Sequence, residues 1–199
     1  MARTAELTVH QLKITLHESK PPIWRRIQIS SSDTLDTLHY SIQASMGWSN
    51  SHLHEFETEM GRYSKPSFEL DDYGDDVGDE ARVLIKSALP REGSRCGYVY
   101  DFGDDWQHLV EVEKILAVEE GVNYPRCIKA VRACPPDDVG GVWGFQEFCE
   151  IMANPKHKEH KSMKEWYGGP FDPVAVDLDT INERLDAVRK GTSIYQMFE

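Results

Sequence analysis

The sequence contains no apolar run approaching the ~20 residues that a membrane-spanning helix needs. Its start, MARTAELTVHQLKITL, alternates where a secretory signal would be continuously apolar, so the expected location is the cytoplasm, with no membrane partner. Cysteine is scarce. Cys96, Cys127, Cys134 and Cys149 are irregularly spaced and form no C-x-x-C pair, which argues for free thiols in a reducing compartment. Positive charge is also short: 22 Lys and Arg stand against 34 Asp and Glu, a formal net charge of −12. Nonspecific nucleic-acid binding depends on basic surface to neutralise phosphates, so a general DNA coat is not expected.

Catalytic signatures are missing as well. No G-x-S-x-G elbow presents a serine, and no G-x-x-x-x-G-K-[ST] loop cradles phosphates. Gly140, Gly141 and Gly144 do not make a dinucleotide fingerprint. A serine recombinase would need a nucleophilic serine among arginines and a basic tail, whereas the chain ends KGTSIYQMFE.

What is present is enough for a core. At 199 residues the chain fits one domain, 1–199, without staples. Leu12, Ile14 and Leu16 alternate with polar residues, Pro21-Pro22 interrupt, and Ile23, Arg25, Ile27 and Ile29 alternate again, which reads as two strands about a turn. Leu35, Leu38, Ile42 and Met46 line one face of a helix over 34–46, closed by Gly47. Residues 52–59 read as a strand and 82–85 as a short one, while the acidic run 69–80 reads as a solvated loop. Aromatic and β-branched residues at 95–102 and 106–116 flank Gly103-Asp104-Asp105 as a hairpin. A Gly103–Asp104 turn would pair Asp101 with Trp106; a three-residue turn pairs Phe102 with Trp106 and Tyr100 with His108. The second buries Tyr98, Tyr100, Phe102, Trp106, Val110 and Val112 together and is therefore the expected register.

After Val118 the texture changes. Residues 124–141 read as a proline, glycine and cysteine loop, followed by helices near 143–153, 156–166 and 178–190. In the last, Leu178, Ile181, Leu185 and Val188 form a stripe with Asp177 as N-cap. A sheet-rich part over 7–118 followed by a loop and helices over 119–190 makes an α+β fold: a largely antiparallel curved sheet packed by the helix at 34–46, with C-terminal helices.

Several residue sets could carry chemistry. His52 and His54 would face the same way on a strand, and imidazoles so placed suit divalent metals. His108, Asp101, Asp104 and Asp105 would add N and O donors, although aspartates also stabilise turns. Arg25 and Arg26 point to opposite faces of their strand, which predicts an ion pair within for one and a solvated cation for the other, or else a phosphate contact. Gly140 and Gly141 are either a tight turn before a helix or a backbone anion site. The acidic run, with Asp71, Asp72, Asp75, Asp76 and Asp79, lacks the order of a calcium-binding EF-hand loop.

Three segments, QLKITLHESKPPIWRRIQI, YVYDFGDDWQHLVEVE and CPPDDVGGVWGFQEF, supported by HLHEF, FDP and INERL, resemble the plasmid pRiA4b ORF-3-like family over residues 7–186. The resemblance implies an α+β domain carried on plasmids and mobile elements, with no assigned reaction. The chain departs from the family pattern at Val139, where a cysteine is common, which counts against a zinc site built from Cys127, Cys134 and a third thiol. The reading favoured by the sequence is a non-enzymatic binding or accessory module that recognises a protein or short ligand, with no cofactor expected beyond a possible divalent metal. Two alternatives stand: a metal-dependent hydrolase using His52, His54 and His108, and a DNA-associated protein of a transposon or plasmid.

Overall fold

The computed structural model describes residues 7–66 and 77–191. Eight strands form one open sheet: β1 (Thr8–Leu16), β2 (Trp24–Ser30), β3 (His54–Thr58), β4 (Gly61–Ser64), β5 (Val77–Asp79), β6 (Arg95–Tyr100), β7 (Trp106–Ala117) and β8 (Arg126–Val131). Their order is β5-β4-β3-β6-β7-β1-β2-β8, and every pairing except β4 with β5 is antiparallel. The helices are α1 (Leu35–Met46), the short α2 (Ile85–Ala88), α3 (Gly141–Ala153), α4 (His160–Tyr167) and α5 (Leu178–Arg189). The fold is mixed α+β, as the sequence indicates. No helix of the described residues is long and apolar enough to cross a membrane.

Strand alternation decides which face is buried. Leu12, Ile14 and Leu16 of β1, Ile27 and Ile29 of β2, and Trp106, Val110 and Val112 of β7 all point inward and are sealed from solvent. α1 covers this face with Leu35, Leu38 and Ile42, each fully buried and each worth roughly 1.5–3 kcal/mol. Thr34 caps its N-terminus by accepting from the Thr37 N–H, and Gly47 ends it at φ +90°, where a side chain would be strained. α5 packs beside it through Ile181 and Leu185, and Asp177 caps it by accepting from the Thr180 N–H.

Four expectations are corrected. Residues 126–131 are a strand, not a loop: β8 pairs with β2 and forms the sheet edge. Residues 80–82 form a 3-10 turn and 85–88 a helical turn, where a strand over 82–85 was expected. Glu80, read as part of a solvated loop, is buried; the run at 71–76 lies outside the described residues. In the hairpin, Tyr100 pairs with Trp106 and Tyr98 with His108, so the expected three-residue register does not hold, and neither does the Gly103–Asp104 alternative. The connection takes five residues because Asp101 and Asp105 adopt left-handed conformations, at φ +57° and +53°, and the Asp101 side chain accepts from the Gly103 N–H. Tyr98, Tyr100, Trp106, Val110 and Val112 are buried together, but Phe102 belongs to the turn and is 41% exposed.

Candidate functional site

Three stretches of chain converge beside the β6–β7 turn: 48–53, the turn 101–105, and the loop 134–141. Trp48 Nε1 donates to the Pro135 carbonyl at 3.0 Å, and the Ser49 hydroxyl donates to Asp137 Oδ2 at 3.1 Å. The Asp101 N–H donates to the Leu53 carbonyl at 2.8 Å. The Gly140 N–H donates to Asp104 Oδ2 at 3.1 Å. Gly141, at φ +69°, lies so close that a Cβ there would stand 2.5 Å from the Asp104 carbonyl oxygen. The glycine pair is therefore the turn before α3 and a docking surface for the hairpin turn, and the Gly140 N–H that the alternative reading gave to an anion already holds the carboxylate of Asp104.

His52 sits in the middle of this junction. Its Nε2 lies 3.2 Å from Asp138 Oδ1 and 3.6 Å from Asp101 Oδ2, and the three donor atoms fall within 4.8 Å of one another. Neither contact has hydrogen-bond geometry, so the enclosed ring nitrogen lacks an aligned partner. Asp101 Oδ1 is held by Gly103, which leaves Oδ2 directed at His52. Asp138, at φ +59°, is the exposed member of the trio. The imidazole packs edge-on against Tyr100, which stacks on Trp48. Next in sequence, Asp137 keeps an unpartnered Oδ1, and burial raises its pKa above the ordinary carboxylate value.

The other candidates are dispersed. His54 does not share a site with His52, because His52 precedes the strand and strand alternation does not govern it. His54 Nε2 lies 2.8 Å from Glu80 Oε2, and its ring stacks on His39 at 3.5 Å between centres. His39 in turn contacts Tyr98 Oη and Asn50 Oδ1, and burial together with the His54 charge holds its pKa well below the ordinary value. His108 is buried under Trp48 and Tyr98, and desolvation lowers its pKa to about 4. Asp105 accepts from Gln107 Nε2. His52, His54 and His108 therefore do not form a ligand set.

Arg25 is buried, and its guanidinium is spent on the carbonyls of Ser45, Trp24 and Val131 and on Cys134 Sγ, so it is not a surface phosphate contact. Arg26, on the opposite face, is paired with Glu113 at 2.6 Å. That reverses the expectation of an inner ion pair and an outer solvated cation.

Sequence reasoning named His52 and Asp101 but missed Asp138. The available signal was its place in CPPDDVGG, one of the segments on which the family resemblance rests. Those segments are brought together here: DFGDDW supplies Asp101 and Asp104, CPPDDVGG supplies Asp137, Asp138 and the glycine pair, and HLHEF begins with His52.

The family model for the plasmid pRiA4b ORF-3-like protein matches residues 8–180. An uncharacterized protein, y4hQ of Sinorhizobium fredii, is 38% identical over 181 residues, covering 90% of this chain and 91% of that one. The crystal structure of MM3350, a protein of unknown function from Methanosarcina mazei Go1, superposes with a TM-score of 0.78 at 36% identity, covering 88% of this chain and 98% of that one. The match over residues 8–180 shows that this chain belongs to the plasmid pRiA4b ORF-3-like family.

Proposed function

We propose that the chain is a binding module whose site is the junction of the 101–105 and 134–141 loops, and that its ligand is a divalent cation held by His52 Nε2, Asp101 Oδ2 and Asp138 Oδ1. The observation that carries this reading is the spacing of the donors without hydrogen-bond alignment. Ligands 2.0–2.1 Å from a tetrahedral zinc ion stand about 3.3–3.4 Å apart, and two of the contacts here are 3.2 and 3.6 Å. One imidazole and two carboxylates suit zinc, manganese or iron. Gly103 acts on Asp101 as an outer-shell donor fixing a ligand does. As a family named for a plasmid reading frame, such modules fit an accessory role in mobile elements.

Calorimetric titration of the metal-free protein with zinc and with manganese tests the reading. One ion per chain should bind, and His52→Ala should abolish binding while the fold is retained. Equal uptake by His52→Ala would refute it.

A second reading, metal-dependent hydrolysis, is favoured by one observation. Asp137 directly precedes Asp138, and its unpartnered Oδ1, with a pKa raised by burial, would serve as general base if a bound divalent cation supplied an activated water. Turnover of a nitrophenyl ester or phosphate by the metal-loaded protein, lost in Asp137→Asn, would select this reading over simple binding.

A further inference from the structure

The outer face of the sheet carries a feature that the loop junction does not use. Lys13 of β1 lies directly opposite Arg26 of β2, which lies directly opposite Lys129 of β8, so three cations form a row across three adjacent strands. Like charges opposed in neighbouring strands are destabilising. Glu113 offsets this in part by pairing with Arg26. Among the described residues neither lysine has a carboxylate within 4.0 Å, and Glu113 acts on Lys13 only through longer-range attraction. All three cations gather instead around one indole: Lys13 Nζ is 5.4 Å, Arg26 Cζ 5.0 Å and Lys129 Nζ 5.6 Å from the centre of the Trp24 ring. Lys129 is exposed, and Lys13, Trp24 and Arg26 are half-buried. Arg126 extends the strip beside Tyr124 but is matched by Glu119.

We propose that this strip binds single-stranded nucleic acid, with a base stacked on Trp24 and backbone phosphates on Lys13 and Lys129. A planar aromatic surface bordered by mobile cations is the chemistry that single strands use, because every base has a π face and the phosphates need only point charges. A duplex hides its base faces, and an acidic peptide has no ring to stack, so neither uses the indole. An incoming base takes the ring face and releases the flexible lysine heads to the phosphates. The net charge of −12 confines the contact to this strip. It also makes binding weak and salt-sensitive, with two phosphates giving a slope of about −1.4 in log–log salt dependence.

The test is fluorescence anisotropy of a labelled oligothymidylate of about ten nucleotides, a length within the range a single binding face covers, titrated with the full chain. Binding should weaken about sevenfold between roughly 50 and 200 mM salt. The double variant Lys13→Glu/Lys129→Glu and the single variant Trp24→Ala should each lose about tenfold or more. Trp24→Phe, which keeps an aromatic ring, should retain most of the affinity and guards against a folding defect as the cause. Zinc titration of the same variants should be unchanged, which separates this strip from the loop junction. No binding at about 50 mM salt, full binding by the lysine variant, or equal affinity for duplex DNA or an oligoglutamate peptide would overturn the proposal.

Discussion

Gly141 rests against the backbone of Asp104, with only 2.5 Å between the position of an added Cβ and the Asp104 carbonyl oxygen. That contact locks the hairpin turn to the loop that carries Asp138. Gly141→Ala should separate the two loops. Overpacking costs about 1–3 kcal/mol, and a left-handed non-glycine conformation adds about 1–2 kcal/mol. Urea unfolding should show a clear drop in midpoint, and zinc affinity should fall with it. An unchanged midpoint and affinity would mean that the loops are not held together at this point.

Leu38 and Ile42 are both fully buried on the face of α1 that meets the sheet. Replacing either by Ala should cost about 2–5 kcal/mol. Denaturant midpoints close to that of the parent protein would show that this face does not anchor the core.

His108 has a folded-state pKa of about 4 against an ordinary 6.5, because burial disfavours its charged form. The unfolded chain therefore binds more protons at this group between about pH 4 and 6.5. Stability from the neutral ring is present above about pH 6.5, declines as pH falls towards 4, and then levels off. His39 and His10 are shifted in the same direction by burial, whereas Asp33, Asp36 and Asp137, whose pKa values are raised, oppose the decline. An NMR titration should find the His108 ring neutral at pH 5.5. Protonation with a midpoint near 6.5 would contradict its place in the core.

Glu80 faces His54 inside the protein, so removing the carboxylate should leave a buried histidine without its partner. Glu80→Ala is expected to cost about 3–5 kcal/mol at neutral pH, and much less when His54 is already replaced by Phe. Additive losses in that double-mutant cycle would show that the two side chains are not coupled.

Much of this architecture is legible in the sequence because periodicity reports burial. The alternation in β1 and β2, the stripe of α1 closed by Gly47, and the capped stripe of α5 all appear where their patterns place them. The failures have local causes. β8 is an edge strand between Pro125 and Pro135 with an irregular burial pattern, so its composition reads as a loop. The hairpin register depends on Asp101 and Asp105 adopting left-handed backbone, which residue preference alone does not reveal. Glu80 is buried because His54 meets it from 26 residues away, a long-range pairing no local window contains. For the site, the donor types were legible but their grouping was not: His52 joins Asp101 and Asp138 through loop docking, and β3 starts only at His54, so strand alternation does not extend back to His52.

The most direct measurement of the central claim is an anomalous difference map from crystals soaked in zinc. One peak should lie about 2.0–2.2 Å from His52 Nε2, Asp101 Oδ2 and Asp138 Oδ1. A fully occupied peak elsewhere, or no peak at this junction at saturating zinc, would contradict it.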